Sequence, residues 1–179
     1  MLMGGTNPVK KNGFFTLLTG TSPIFTTGTN AGADSSGNVY IGASDSQTAV
    51  NAAGPYVVKF NSTGTLQFQR KFTSSTYDTA RCFDLCSDTS GNTYFTGAWG
   101  TGGFGSQGTI AKYNNAGTIQ WQRQLTGPDS SGFNPGGVAV DSTGANAAML
   151  GSYADTGVTY GVLLKYTSAG VLSWQRRFT

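Results

Sequence analysis

Apolar and polar residues alternate along short segments of this chain, and turn-forming residues separate the segments. The clearest segment is 118–125, in which Trp121 and Leu125 lie on one face and three glutamines lie on the other. Alternation with a period of two is typical of a strand that buries one face. Clusters of Gly, Asn, Asp and Ser separate the segments, as turns between strands require. The pattern predicts an all-β protein.

One pattern occurs three times at a period of 53 or 54 residues. Each copy has an Asp-x-[Ser/Thr]-Gly turn, two middle strands, a second turn that ends in Gly, and a last strand with an aromatic-Gln-Arg sequence. The landmarks are Asp34, Asp88 and Asp141; Lys59, Lys112 and Lys165; Gly64, Gly117 and Gly170; and Phe68, Trp121 and Trp174. A fixed period of this length indicates a repeat architecture. Each copy predicts a four-stranded antiparallel meander, and radially stacked meanders form a β-propeller.

The repeat resembles a known family. The Asp-x-[Ser/Thr]-Gly-Asn turn and the Lys-[Tyr/Phe]-Asn-x-x-Gly-x-[Leu/Ile]-x-Trp-x-Arg segment resemble the SBBP repeat, which is named for seven-bladed β-propellers. The resemblance covers residues 31–179 and implies a propeller fold. Such repeats occur in surface, secreted and phage-encoded proteins, so the family implies little about activity. The third copy departs from the pattern at 145–147, where we expect a distorted turn.

The repeats divide the chain into an arm and a propeller. We expect a flexible N-terminal arm at 1–12 and propeller blades at 13–179. The expected units are an orphan fourth strand at 13–20 and blades at 31–73, 80–126 and 136–179. Closed propellers have about 4–8 blades, so three blades predict an incomplete ring. The 179 residues are therefore expected to be a piece of a longer chain or to form a homo-oligomer.

The last strand of each copy predicts the contact between blades. We expect Phe68, Trp121 and Trp174 to pack there. An arginine follows each of them by two residues and shares its face. A buried guanidinium needs partners, so each arginine should bind either a turn aspartate or backbone carbonyls.

Composition excludes several kinds of chemistry. The chain has no His and no Glu, and its eight acidic residues are all Asp. Without His it can form neither a Ser-His-Asp triad nor an imidazole metal site. We therefore predict no enzymatic activity, no cofactor and no metal. An enzyme related to quinoprotein propellers, whose tryptophan-docking motif the repeat faintly resembles, is the third class of function, with Asp78 or Asp129 as candidate catalytic residues.

Charge and hydropathy argue against two classes of partner, nucleic acids and membranes. The net charge is +3 with only 11% charged residues, and the basic residues are scattered. Nucleic-acid binding is therefore not predicted, because it needs a basic stripe. No apolar run approaches the roughly 20 residues of a membrane span, and no signal-peptide pattern is evident.

Three motifs have structural explanations. Residues 100–105 match G-x-G-x-x-G, but a strand is expected after them where a dinucleotide site needs a helix. The aspartate turns supply one carboxylate each, whereas calcium takes 6–8 oxygens, so we expect the aspartates to cap their turns. On one strand, Cys82 and Cys86 would share a face about 13 Å apart. That separation is too large for a disulfide, so two buried free thiols are expected.

The variable loops predict where a ligand binds. Loops at one rim of the predicted blades differ between the copies, and function usually lies in such loops. The predicted loops are 43–55, 98–108 and 152–161 between the second and third strands, and 74–80 and 127–136 between blades. Aromatic side chains at this rim are expected to be exposed and to stack on sugar rings. They are Tyr77, Trp99, Phe104, Phe133, Tyr153 and Tyr160.

These features favour a non-catalytic attachment module of a virion, such as part of a phage tail fibre or appendage that binds the host surface. The chain starts with Met and continues into a charge-poor body rich in Gly, Ser, Thr and Asn. The expected partners are other virion or surface proteins, bound through the N-terminal arm with Lys10 and Lys11, and a cell-surface glycan. The alternative is a bacterial secreted or cell-surface binding propeller.

Overall fold

A computed structural model describes residues 25–45, 54–72, 79–100, 107–128 and 131–179. These residues form twelve strands and no helix, which confirms the all-β prediction. The strands are β1 (Phe25–Ala33), β2 (Val39–Asp45), β3 (Tyr56–Phe60), β4 (Leu66–Lys71), β5 (Thr79–Ser87), β6 (Thr93–Gly100), β7 (Gln107–Tyr113), β8 (Ile119–Leu125), β9 (Phe133–Val140), β10 (Asn146–Asp155), β11 (Val158–Thr167) and β12 (Leu172–Phe178). None of the described residues belongs to a helix that could cross a membrane.

The strands form three sheets in chain order. Sheet 1 holds β1–β4, sheet 2 holds β5–β8 and sheet 3 holds β9–β12, and in each sheet consecutive strands are antiparallel neighbours. Strand β5 contacts β1 and β2, and β9 contacts β5, β6 and β7, so the first strand of a sheet packs against the preceding sheet. This is the arrangement of propeller blades. Over the described ranges the three blades do not close into a ring.

Each first strand begins earlier than the alternation predicts. Strand β1 begins at Phe25, β5 at Thr79 and β9 at Phe133, whereas the predicted blades begin at 31, 80 and 136. A register shift interrupts the pairing of each of these strands with its neighbour. A shift of one residue exchanges the two faces of a strand, so it breaks the period-two pattern. The predicted arm at 1–12 and orphan strand at 13–20 lie outside the described residues.

The apolar core lies mainly between the sheets. Between sheets 1 and 2, Tyr40 and Phe68 pack against Phe95 and Tyr113. The cluster between sheets 2 and 3 includes Trp121, and a third cluster around Val58 lies in sheet 1. The alternating strands therefore bury one face or both against neighbouring sheets, which is the source of their apolar pattern.

Cys82 and Cys86 do not share a face. Cys82 is buried in the cluster between sheets 1 and 2, whereas Cys86 packs against the cluster between sheets 2 and 3. The register shift between Cys82 and Asp84 causes this, so the expected common face is wrong. Both thiols are free, as predicted. Burial raises the pKa of Cys86 to about 12, and nearby Asp84 and Asp88 add to the effect.

The aspartates cap their turns, as predicted. In the first turn, the Asp34 carboxylate accepts hydrogen bonds from the backbone N–H groups of Ser36 at 2.9 Å and Asn38 at 3.0 Å. Its other oxygen accepts a bond from the Asn38 amide at 2.7 Å. Asp88 makes the same bonds in sheet 2. In sheet 3, hydrogen bonds from Asn146 and Thr143 lower the pKa of Asp141 to about 2.

The turn of the third copy contains one additional residue. The asparagine that binds the turn aspartate follows it by four residues in Asp88–Asn92 but by five in Asp141–Asn146. The insertion shifts the following strand, so that Ala148 pairs with Lys165 where Tyr94 pairs with Lys112. The expected distortion is therefore an insertion, and it removes a tyrosine from sheet 3.

A repeated contact joins the last strand of one sheet to the next sheet. We call the turn between the third and fourth strands of a sheet its glycine turn; it contains Gly64, Gly117 or Gly170. The Arg70 Nε donates a 2.7 Å hydrogen bond to the carbonyl of Gly117, and Arg123 Nε donates one of the same length to Gly170. Of the two predicted kinds of partner, the arginines use the backbone carbonyl.

The glycine turns need glycine for two separable reasons. All three glycines have a positive φ, +79° at Gly64 and +75° at Gly117. A methyl group at Gly117 would also lie 2.5 Å from the Phe68 ring, because that ring packs directly on the turn. At Gly64, nothing in the described part of the chain lies within 4 Å of such a methyl group.

These two glycines form a matched pair for a stability measurement. Gly64→Ala should lose about 1–2 kcal/mol of unfolding free energy, because alanine is strained at positive φ. Gly117→Ala should lose the same amount and about 1–3 kcal/mol more, because its methyl group also displaces Phe68. Urea denaturation followed by circular dichroism measures both values. Equal losses would contradict the packing of Phe68 on the turn.

Candidate binding site

The six aromatic residues predicted to line the rim lie in different environments. Trp99 and Phe133 are only 8% and 3% exposed. Tyr153 and Tyr160 are half-buried. Tyr77 and Phe104 lie outside the described residues, as do the candidate catalytic residues Asp78 and Asp129.

The expected exposure of Trp99 and Phe133 is wrong. Strand β6 continues to Gly100, and β9 begins at Phe133, so both aromatic residues belong to sheets and not to loops. The centroid of the Trp99 ring lies 6.3 Å from that of Phe72, the residue that follows β4. Phe133 packs so closely on Gly108 and Gly151 that a methyl group at either glycine would lie within 2.6 Å of its ring. The predicted loop at 152–161 is also a continuous hairpin of β10 and β11.

A pocket of about 580 Å³ opens where sheets 2 and 3 meet. The segment that follows β8 forms one side of it, and the ends of β10 and β12 form the other. Apolar residues include Phe133, Val162 and Leu164, all buried. Polar residues include Tyr153, Gln175 and Arg177. A pocket with apolar walls and a few convergent polar groups is the usual form of a small-ligand site.

Two of the lining residues, Tyr153 and Arg177, form a compact group with the neighbouring Tyr160. Tyr153 and Tyr160 pair across β10 and β11, and their ring centroids are 5.8 Å apart. The Arg177 guanidinium lies 4.3 Å from the centroid of the Tyr160 ring. It also donates a 3.5 Å hydrogen bond to the Tyr153 hydroxyl. The cation–π contact and the hydrogen bond hold the guanidinium in position.

The turn between β10 and β11 positions the tyrosine pair. Thr156 and Gly157 join the strands, with φ values of 48° and 83°. A two-residue turn with two positive φ angles has the twist that an antiparallel hairpin needs. Because the turn is tight, Asp155 pairs with Val158, and the pairing continues without a break to the two tyrosines.

The electrostatics of the pocket favour a negative or hydroxyl-rich ligand. The hydrogen bond to Tyr153 is the main reason why the pKa of Arg177 is raised above its usual value. Arg177 therefore places a positive charge at the pocket, and among the described lining residues none is acidic. A planar guanidinium donates paired hydrogen bonds that fit a carboxylate or neighbouring hydroxyl groups.

The described residues include no cluster of three or more His, Cys, Asp or Glu that could hold a metal ion. After Gly100, the next described element is the strand β7, which begins at Gln107. A dinucleotide fingerprint needs a helix at that point. The glycine-rich segment therefore does not lead into the element that would hold a pyrophosphate.

Sequence reasoning found Tyr153 and Tyr160 but missed Arg177. The sequence does distinguish the third copy at this place. Its last strand has two consecutive arginines, at 176 and 177, whereas the arginine of the first copy is followed by Lys71 and that of the second copy by Gln124. The pocket itself could not be found from the sequence, because residues far apart in the chain form its walls.

Comparisons with known proteins found similarity among solved structures. No protein-family model matches the sequence, and no curated protein matches it. Among solved structures, the chain is similar to an endo-arabinase from Bacteroides thetaiotaomicron, with 14% sequence identity and a TM-score of 0.46. The match covers 83% of this chain and 58% of the endo-arabinase, so the chain spans less than two thirds of that protein.

Proposed function

We propose that this chain is a non-catalytic binding module and that it serves host attachment as part of a virion appendage. The observation that carries the binding role is the pocket lined by Tyr153 and Arg177, whose guanidinium binds the Tyr153 hydroxyl and lies over the neighbouring Tyr160 ring. Aromatic faces suit sugar rings, and the guanidinium adds affinity for a carboxylate. The proposed ligand is therefore an acidic oligosaccharide of a cell surface.

The contrast between features shared by the blades and features of the third copy supports this proposal. The turns around Asp34 and Asp88 have the same hydrogen bonds in both blades, so they serve the scaffold. The second arginine, at 177, occurs in the third copy alone, since Lys71 and Gln124 stand at the equivalent places. A repeated scaffold that carries one distinct cluster is a common design of binding proteins.

The pocket is tested with a matched pair of substitutions. Arg177→Ala should weaken binding of an acidic oligosaccharide about tenfold or more, because hydrogen bonds to a charged group are lost. Arg177→Lys keeps the charge without the planar group and should lose less. Arg81→Ala, at an exposed arginine of β5, serves as the control. The measurement is titration calorimetry with an acidic oligosaccharide selected on an array that pairs acidic with neutral glycans.

Two further results separate the classes of function. Binding without shortening of the oligosaccharide is expected, and new products on chromatography would contradict the non-catalytic role. Recovery of the chain with purified virus particles would support the virion proposal. Recovery with bacterial envelopes would support the alternative, a secreted or cell-surface binding propeller.

A further inference from the structure

The side of sheet 3 that faces away from sheet 2 carries a row of exposed apolar residues. Trp174 is 38% exposed, Leu150 46% and Phe178 51%. In sheet 2 the residue equivalent to Trp174 is Trp121, which is only 7% exposed because sheet 3 covers it. We call Leu150, Trp174, Arg176 and Phe178 the outer face of sheet 3. A contiguous exposed apolar face is typical of an interaction surface.

The outer face of sheet 3 is already arranged like the two faces that bind a neighbouring sheet. The Arg176 guanidinium lies 5.8 Å from the Trp174 ring, compared with 5.9 Å for Arg123 and Trp121. It donates a 2.9 Å hydrogen bond to the carbonyl of Gln175, as the other arginines do to the residue before them. These side chains therefore adopt their binding arrangement before a partner is present.

The outer face of sheet 3 differs from the two equivalent faces in the hydrogen bonding of one donor, the arginine Nε. The Nε groups of Arg70 and Arg123 donate to the carbonyl of a glycine turn in the next sheet. The described residues provide no such acceptor for the Nε of Arg176. A partner for this face should therefore offer a glycine turn with a free carbonyl.

Among the described residues, one glycine turn meets this requirement. Phe68 packs on Gly117, and Trp121 packs on Gly170. Gly64 has the same positive φ, and in the described part of the chain no aromatic ring lies on it. Residues 62–65 are exposed. Val58 of sheet 1 is already buried, so a partner can contact the turn but cannot contact this residue.

We propose that the outer face of sheet 3 binds the glycine turn of sheet 1 in a second copy of this chain. Trp174 packs on Gly64 of that copy, and Arg176 Nε donates to the Gly64 carbonyl. The contact continues the pattern that joins sheet 1 to sheet 2 and sheet 2 to sheet 3. It is head-to-tail, so each copy offers one outer face and one glycine turn, and two copies can satisfy both contacts.

The test measures the mass of the full chain in solution by sedimentation velocity at concentrations up to ~100 µM, where even a weak specific dimer is populated. A dimer is expected for the unchanged chain. Trp174→Ala and Gly64→Ala should each give monomers, the first by removing the ring and the second by blocking the turn. Ile119→Ala removes a similarly exposed apolar group of sheet 2 and should leave the dimer intact.

Mixing the two monomeric variants separates loss of the contact from loss of folding. The Trp174→Ala chain keeps an intact Gly64 turn, and the Gly64→Ala chain keeps an intact outer face. An equimolar mixture should therefore form heterodimers held by one intact contact, although neither variant dimerises alone, and these should be weaker than the dimer of the unchanged chain because the second contact carries both substitutions. A monomeric unchanged chain at all concentrations would overturn the proposal. So would dimers of both variants, or a mixture that stays monomeric.

Discussion

Replacement of Trp121 by alanine is expected to lower the free energy of unfolding by about 3–5 kcal/mol. The indole is 7% exposed and lies between the rings of Tyr94 at 6.1 Å and Tyr166 at 5.9 Å. It packs on Gly170 and donates a 2.9 Å hydrogen bond to the carbonyl of Ser168. Truncation leaves a cavity between two sheets and removes that donor, and the rigid strands cannot collapse to fill the space.

Trp174→Ala is the matched control. The residue type and its position in the last strand are the same, but Trp174 is 38% exposed. Its loss should cost less than about 1 kcal/mol, as is usual for surface positions. Guanidinium denaturation of both variants at low protein concentration provides the comparison. Similar losses would show that the sheets do not stack through this strand.

Asp84→Ala is expected to lower the free energy of unfolding by about 2–4 kcal/mol, because it removes charge-assisted hydrogen bonds that join all three sheets. The carboxylate accepts a hydrogen bond from the Asn30 amide of sheet 1. It also accepts 2.8 Å bonds from the backbone N–H groups of Val138 in sheet 3 and Leu85 in its own strand. Alanine would leave the N–H of Val138, a buried residue, without its acceptor.

Asp84→Asn tests whether the acceptor atoms cause the effect. Asparagine has the same shape and keeps one acceptor oxygen, so it should recover part of the lost stability. Thermal and urea unfolding of both variants would be compared with those of the unchanged chain. If alanine had no effect, the three first strands would be held together by packing alone.

Much of the scaffold could be predicted because its causes are local. A turn aspartate binds backbone groups two and four residues away, as Asp88 does with Ser90 and Asn92. These short-range bonds leave a fixed spacing in the sequence. The aromatic and arginine pair in each last strand was recognisable for the same reason, since both lie on one face at a period of two.

Other features depend on irregularities that alternation does not reveal. The register shift in β5 places Cys82 and Cys86 in different clusters. The extension of β6 and β9 into the predicted loops buries Trp99 and Phe133. The role of Asp84 in joining the sheets could not be predicted from neighbouring residues. Its partner Asn30 lies 54 residues before it, and its partner Val138 lies 54 residues after it.

The sequence by itself determined the number of blades, their strand order and the residues of their turns, because a 53-residue period and short-range hydrogen bonds are written directly in the chain. Only the tertiary structure decided which aromatic residues are buried, where the pocket opens and which face of sheet 3 is uncovered. These properties depend on the stacking of sheets whose contacts join residues about fifty positions apart, such as Arg123 and Gly170. Such contacts follow from the shape of the assembled sheets, and shape is not encoded in any local pattern.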